Sequence, residues 1–174
     1  MDNPKVAVRK TRKFGRGVYA LKNIRRGELI AVFDGRRYDL KYKYWTDDIS
    51  NHAIQYGRGQ WRDSKGLARF INHSCAPNCG IKGLFRVVAM RDIKRGEPIT
   101  WDYEMTEKSS WWRMRCHCGT PDCRRRIGSY VNLPKAKRLE YRGFISRWLT
   151  ATDSAVKLTG RGRRGRRKGR ITRG

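Results

Sequence analysis

A chain of 174 residues, 38% of them hydrophobic and 11% aromatic, has the length of one domain and enough apolar material for a single core, which excludes a wholly disordered chain. Its 42 Lys and Arg against 15 Asp and Glu give a net charge of +27; nine of the basic residues and no acid lie after position 156, so the part before still carries +18. Charge of this size predicts association with polyanions such as nucleic acid, and the lack of a long apolar run or of a charged start leading into one predicts an intracellular protein with no membrane segment.

In chain order, 6–8, 17–21, 28–33, 85–90 and 98–101 are short apolar or β-branched runs that predict strands. Gly15, Arg26-Gly27, Asp34-Gly35, Gly57 to Gly59, Gly80, Gly83 and Arg95-Gly96 punctuate them as turns, so the chain reads as mainly β. One short echo stands out: Asn23-Ile-Arg-Arg-Gly-Glu-Leu-Ile against Asp92-Ile-Lys-Arg-Gly-Glu-Pro-Ile, which predicts two analogous hairpin corners and is too short for a repeat architecture. The clearest helix runs from Pro134 to Leu149, with Leu139, Phe144, Ile145 and Trp148 near helical spacing, Pro134 suited to its first turn and Gly143 working against it. From Gly160 the Gly-Arg repeats have nothing to bury and predict a disordered cationic arm.

The five cysteines are Cys75, Cys79, Cys116, Cys118 and Cys123, an odd number that argues against a disulfide framework. Cys116-His-Cys-Gly-Thr-Pro-Asp-Cys123 places three thiols within eight residues, with Gly119 and Pro121 making the turn that lets them converge on one ion. A closed zinc site needs a fourth ligand, for which Cys75, Cys79 and His117 are the candidates.

Between the cysteines lies Ala68-Arg-Phe-Ile-Asn-His-Ser-Cys-Ala-Pro-Asn78, followed about 20 residues on by Gly96-Glu-Pro-Ile-Thr-Trp-Asp-Tyr-Glu104. These strings, with Gly15-Arg-Gly-Val-Tyr-Ala20 before them and Cys116 to Cys123 after, resemble the SET-domain family of protein lysine methyltransferases and its post-SET zinc segment. The resemblance implies small twisted β-sheets with a pseudoknot-like crossing of the Asn72 to Asn78 segment, and a compact, minimal member. It implies residues 1–115 as SET domain, 116–130 as post-SET segment, 131–156 as helical extension and 157–174 as basic tail. By the same resemblance Arg16, Gly17, Asn72, His73, Tyr103 and Ile127 contact S-adenosylmethionine, and Tyr103 is the catalytic tyrosine. Phe33 and Trp101 line the lysine channel with it. Cys75 completes zinc with Cys116, Cys118 and Cys123, leaving Cys79 free, and Trp111 and Trp112 stand near the channel.

Two positions depart from the family pattern. Trp101 stands where Phe or Tyr is usual and where that choice affects how many methyl groups are added; it lacks a hydroxyl but is bulky, and the expectation is mono- or dimethylation. Phe33 stands where many members carry Tyr, and the stretch 51–65 is short enough to leave its register open. The implied partner is a basic protein, histone or histone-like, placing the chain at chromatin in a eukaryote or in the cytoplasm or nucleoid of a prokaryote, with nucleic acid held by the tail. Asp102, Glu104 and Glu107, with Asp47 and Asp48, are the acids expected to receive a basic peptide on so positive a surface.

Overall fold

A computed structural model of the chain describes residues 3–108 and 112–151, so the expected basic tail and Trp111 lie outside the described residues. The hairpin of β1 (Val6–Lys10) and β2 (Arg16–Ala20) pairs Val6 with Ala20 and Lys10 with Arg16, and Gly15, at φ +66°, supplies the left-handed residue its turn requires. β3 (Leu29–Val32) follows, then a separate three-stranded sheet made by β4 (Arg37–Asp39), β5 (Ile54–Gly57) and β6 (Gln60–Arg62) in the order β4-β6-β5, with the six-residue helix α1 (Asp47–His52) between its first two strands. β7 (Asn72–His73), β8 (Cys79–Lys82), β9 (Arg86–Ala89) and β10 (Pro98–Trp101) complete the main sheet, ordered β1-β2-β10-β8-β9-β3 with β7 parallel to β10. A two-stranded pair, β11 (Met114–Arg115) and β12 (Arg126–Ile127), and the helix α2 (Lys135–Glu140) come last.

All five predicted strands are present to within a residue or two at their ends. The sequence echo is a pair of corners that lock onto each other. Ile24 and Ile93 exchange both backbone hydrogen bonds, at 2.9 Å each, and both are buried. The Arg95 amide donates to Asn23 Oδ1 and, reciprocally, the Arg26 amide to Asp92 Oδ1. Within each corner the glutamate accepts from the backbone three residues earlier, Glu28 from Arg25 and Glu97 from Lys94, and Gly27 and Gly96 take φ of +85° and +90°. Equal residues at equal places therefore satisfy each other's turn amides, which explains why two copies suffice.

The helix expected over 134–149 is interrupted. α2 stops at Glu140, Gly143 turns left-handed at φ +84°, and helix resumes only at residues 147–151. The cause is tertiary: the Phe144 carbonyl accepts from the Ile81 amide on β8 at 2.7 Å, and a Cβ on the facing Gly80 would come within 2.6 Å of Phe144 Cβ. A carbonyl committed to the sheet is lost to a helical ladder, and Leu139, which the helical pattern assigns to the core, is 63% exposed. The main core is built from β-strand residues such as Val18, Ile30, Ile81, Val87 and Ile99, closed from the C-terminal side by Leu133, Tyr141 and Leu149.

Candidate active site and cysteine cluster

The segment after β7 crosses the middle of the main sheet. Asn72 and His73 pair in parallel with Thr100 and Trp101, and buried Asn78 fastens the far end, its Nδ2 donating to the Pro98 carbonyl and its Oδ1 accepting from the Thr100 amide. Between these anchors the chain turns inward and buries Cys75. The crossing thus brings the Asn-His-Ser-Cys string beside the Trp-Asp-Tyr string.

Two cavities meet around that crossing. One, of about 310 Å³, is walled by Gly17, Asn72, His73 and Ser74, with Phe14 at its rim and Cys118 across it. A Cβ on Gly17 would sit 2.9 Å from both Asn72 Nδ2 and Thr11 Cγ2, so any larger residue would displace those side chains. Asn72 Nδ2 donates to the Arg16 carbonyl, and the exposed Arg16 guanidinium stacks 4.2 Å over the Phe70 ring. The second cavity is tight, about 50 Å³, with Phe33, Ile71, Trp101, Tyr103, Trp112 and the buried Glu107 among the residues that line it. His73 lines the first and Tyr103 the second, with ring centroids 5.3 Å apart.

Tyr103 opens a short 3-10 turn, Tyr103–Met105, whose preceding Asp102 accepts from the Glu104 amide. Its hydroxyl donates to the Ile71 carbonyl at 3.1 Å, its ring lies 5.1 Å from Trp101 and 6.2 Å from Trp112, and burial raises its pKa well above the ordinary phenol value. The hydroxyl is therefore a neutral hydrogen-bonding group and not a phenolate. Burial likewise pushes the His73 imidazole down to about 4, against the pull of Asp102 Oδ1 at 3.6 Å, and its Nδ1 accepts from the Tyr103 amide at 3.3 Å.

Sγ atoms of Cys75, Cys116, Cys118 and Cys123 lie within 4.8 Å of one another, Cys75 and Cys116 at 3.7 Å. Four thiolates about 2.3 Å from a tetrahedral ion stand about 3.8 Å apart, so the donor set and spacing fit zinc. The open choice of fourth ligand is thereby narrowed geometrically to Cys75; Cys79 is buried on β8 opposite Trp101. Ile127, buried, packs with Cys75 and Cys116 of the cluster. Trp112 does reach the tyrosine cavity.

The residue that ties the cluster to Tyr103 is Arg124. Its guanidinium makes a two-pronged pair with fully buried Asp102, at 2.7 and 2.8 Å, and reaches Glu104 Oε2 at 3.1 Å, while its amide donates to Cys75 Sγ. Glu104 Oε1 in turn accepts from the Gly128 amide. Glu104 is thus buried inside the protein and cannot receive a peptide as expected; Asp102 shares that fate, and Asp48 is engaged by Arg69 and His52. Glu107 alone of the three acids around Tyr103 lines the cavity. Arg124 sits in the run Cys123-Arg-Arg-Arg126, where nothing distinguishes it from solvated charge.

The domain is β-rich, with Tyr103 on one cavity, His73 beside it on the other, and a cluster of four thiols next to both strings. The SET domain family model matches residues 15–104, and the chain belongs to the SET domain family. It is 36% identical over 126 residues to the H3 lysine-4 specific histone-lysine N-methyltransferase of Saccharomyces cerevisiae, covering 62% of this chain and 12% of that protein. It is 31% identical over 173 residues to histone-lysine N-methyltransferase ASHH3 of Arabidopsis thaliana, covering 90% of this chain and 47% of that one. Against these two relatives, then, the chain spans less than half of their length. The fold is similar to that of Arabidopsis thaliana SUVH6 in complex with SAM, at TM-score 0.59 and 22% identity over 72% of this chain and 33% of that one.

Proposed function

We propose that this chain is a protein-lysine N-methyltransferase that moves a methyl group from S-adenosylmethionine to a lysine of a histone or histone-like basic protein. The observation that carries the reading is the placement of Tyr103 in an aromatic cavity next to the larger cavity walled by Gly17, Asn72 and His73. The larger cavity fits a nucleoside-sized ligand, with a bare glycine wall for close backbone approach and the Asn72 to Ser74 backbone along it. When bound there, S-adenosylmethionine supplies an electrophilic methyl group.

Everything else falls to the chain's own residues. A lysine amine, with an ordinary pKa near 10.4, must arrive neutral to attack carbon. Phe33, Trp101 and Trp112 strip water from it, which disfavours the ammonium, and the narrow cavity holds the nitrogen on one line of approach. The Tyr103 hydroxyl, held by the Ile71 carbonyl, orients the amine and stabilises charge as it develops. Glu107, buried in the wall of the cavity, places a carboxyl group beside the incoming lysine. Trp101, 3% exposed and edge-on to Phe33 at 6.1 Å, crowds the space a third methyl would need, which supports mono- or dimethylation.

In this reading residues 1–115 form the catalytic domain, 116–130 the zinc segment that holds Arg124 against Asp102, 131–156 the C-terminal extension and 157–174 a basic arm on nucleic acid. The test is methyl transfer from labelled cofactor to histones, comparing wild type with Tyr103→Phe. Loss of at least about a hundredfold in kcat with cofactor affinity kept within a few-fold is expected when one hydroxyl leaves the reacting centre. Turnover by Tyr103→Phe near the wild-type rate would remove the tyrosine from the mechanism.

A further inference from the structure

From Arg36 to Trp45 the chain interleaves cations with aromatic rings: Arg36, Arg37, Lys41 and Lys43 among Tyr38, Tyr42, Tyr44 and Trp45. These rings form a graded series of edge-on and tilted contacts. Tyr38 and buried Trp61 are cross-strand partners on β4 and β6, and Trp45 stands edge-on to Trp61 at 5.3 Å and 5.7 Å from Tyr38. Tyr42 meets Tyr38 at 5.0 Å and Tyr44 at 5.9 Å, both edge-on, and Tyr44 is 74% exposed. The series therefore runs from the interior out to a ring in water. Beside it a cavity of about 260 Å³ opens between Tyr38, Tyr42 and Tyr56, with Arg37, Asp39 and Gln60 completing the wall. None of these residues lines the two cavities around Tyr103.

We propose that this face of the β4-β6-β5 sheet binds single-stranded RNA, its bases stacking on Tyr44 and entering the adjacent cavity while Arg36, Arg37, Lys41 and Lys43 hold the phosphates.

Charge decides between the two occupants an aromatic cavity of this kind takes. A methylated ammonium needs open ring faces, whereas here the Arg36 guanidinium lies 4.8 Å from the Tyr42 ring and 5.8 Å from Tyr38, and Arg37 lies 6.0 Å from Tyr56. Within residues 36–45 the exposed Arg36, Arg37, Lys41 and Lys43 outnumber the one acid, Asp39; Asp63 acts on Tyr38 from the neighbouring strand end and Asp47 and Asp48 follow the run, and the balance along 36–45 stays positive, which disfavours a cation and favours phosphate. Rings that end in water gain by stacking only on bases that are themselves unstacked, which selects a single strand over a duplex. Asp39 and Gln60 on the cavity wall bring acceptor oxygens to a ribose 2′-hydroxyl, the donor that DNA lacks.

The experiment is fluorescence anisotropy of the full chain with a labelled oligouridine of about 12 nucleotides at low and high salt, with oligodeoxythymidine, duplex DNA and a trimethyllysine peptide as comparison arms. It needs neither cofactor nor turnover, so its outcome is independent of the proposed catalysis. Tyr44→Ala, at a position too exposed to threaten folding, is expected to weaken RNA binding about 5- to 150-fold at both salt concentrations, and Tyr44→Phe to bind as wild type. Lys41→Gln with Lys43→Gln is expected instead to flatten the salt dependence. Unchanged RNA affinity in Tyr44→Ala would overturn the proposal. So would duplex DNA or oligodeoxythymidine bound as tightly as RNA with the same dependence on Tyr44, a dependence that the basic arm at 157–174 does not share. Capture of the trimethyllysine peptide, lost in Tyr42→Ala, would make this face a methyl-ammonium site and refute the RNA assignment.

Discussion

Replacing Arg124 by Met keeps most of the side-chain volume and removes one guanidinium, leaving Asp102, which is fully buried, and Glu104, 2% exposed at its side chain, without their cation. Removing one partner of a buried ion pair costs about 3–5 kcal/mol, because the other charge stays desolvated and uncompensated. At about 2–4 °C per kcal/mol for a domain of this size, Tm should fall by about 6–20 °C. The deficit should depend on pH in a definite direction. Burial already raises the Glu104 pKa, with Arg124 opposing; without Arg124 it rises further, so the folded variant binds protons more tightly than the unfolded chain and gains stability as pH falls. Scanning calorimetry at pH 8 and pH 5 should therefore show a smaller gap to wild type at the lower pH, and adding Asp102→Asn should recover part of the loss. Metal content measured on the same samples separates this effect from release of the neighbouring cluster. A Tm within about 2 °C of wild type at pH 8 would refute the reasoning, since no buried pair of this geometry could then be contributing.

Cys75→Ser and Cys116→Ser should each abolish the binding of one zinc per chain while Cys79→Ser keeps it, checked by metal analysis; release by the Cys79 change alone would place the ion elsewhere. Trp101→Phe should enlarge the channel and shift the product toward more methyl groups, read by mass spectrometry of a peptide substrate; an unchanged product distribution would mean Trp101 does not limit the space. Glu28 and Glu97 have pKa values lowered from 4.5, chiefly by Lys5 and Arg91, so the stability they add is present above about pH 4.5 and lost as pH falls below it. Glu28→Gln with Glu97→Gln should therefore flatten the acid limb of stability between about pH 5 and 3, and a limb as steep as wild type would assign it to other carboxylates.

Much of the site was legible because its chemistry is carried by short strings. Asn72, His73 and Cys75 lie within four residues, Trp101 and Tyr103 within three, and Cys116, Cys118 and Cys123 within eight, so residue type and spacing announce them before any contact is known. The strands with strong β-branched runs and glycine punctuation were equally visible, and so was the echo at 23–30 and 92–99, though its reciprocal hydrogen bonding was not. What the sequence by itself determined was thus local: which segments form strands, where they turn, and which side chains can ligate or react. Only the tertiary structure decided the rest. Burial separated Arg124, held by Asp102, from its solvated neighbours, took Glu104 out of reach of a substrate, and packed Ile127 against the cysteines. The helix over 134–149 failed for the same reason: one carbonyl, that of Phe144, gained a sheet partner across the fold, and a local periodicity holds no information about a hydrogen bond to a residue more than sixty positions away.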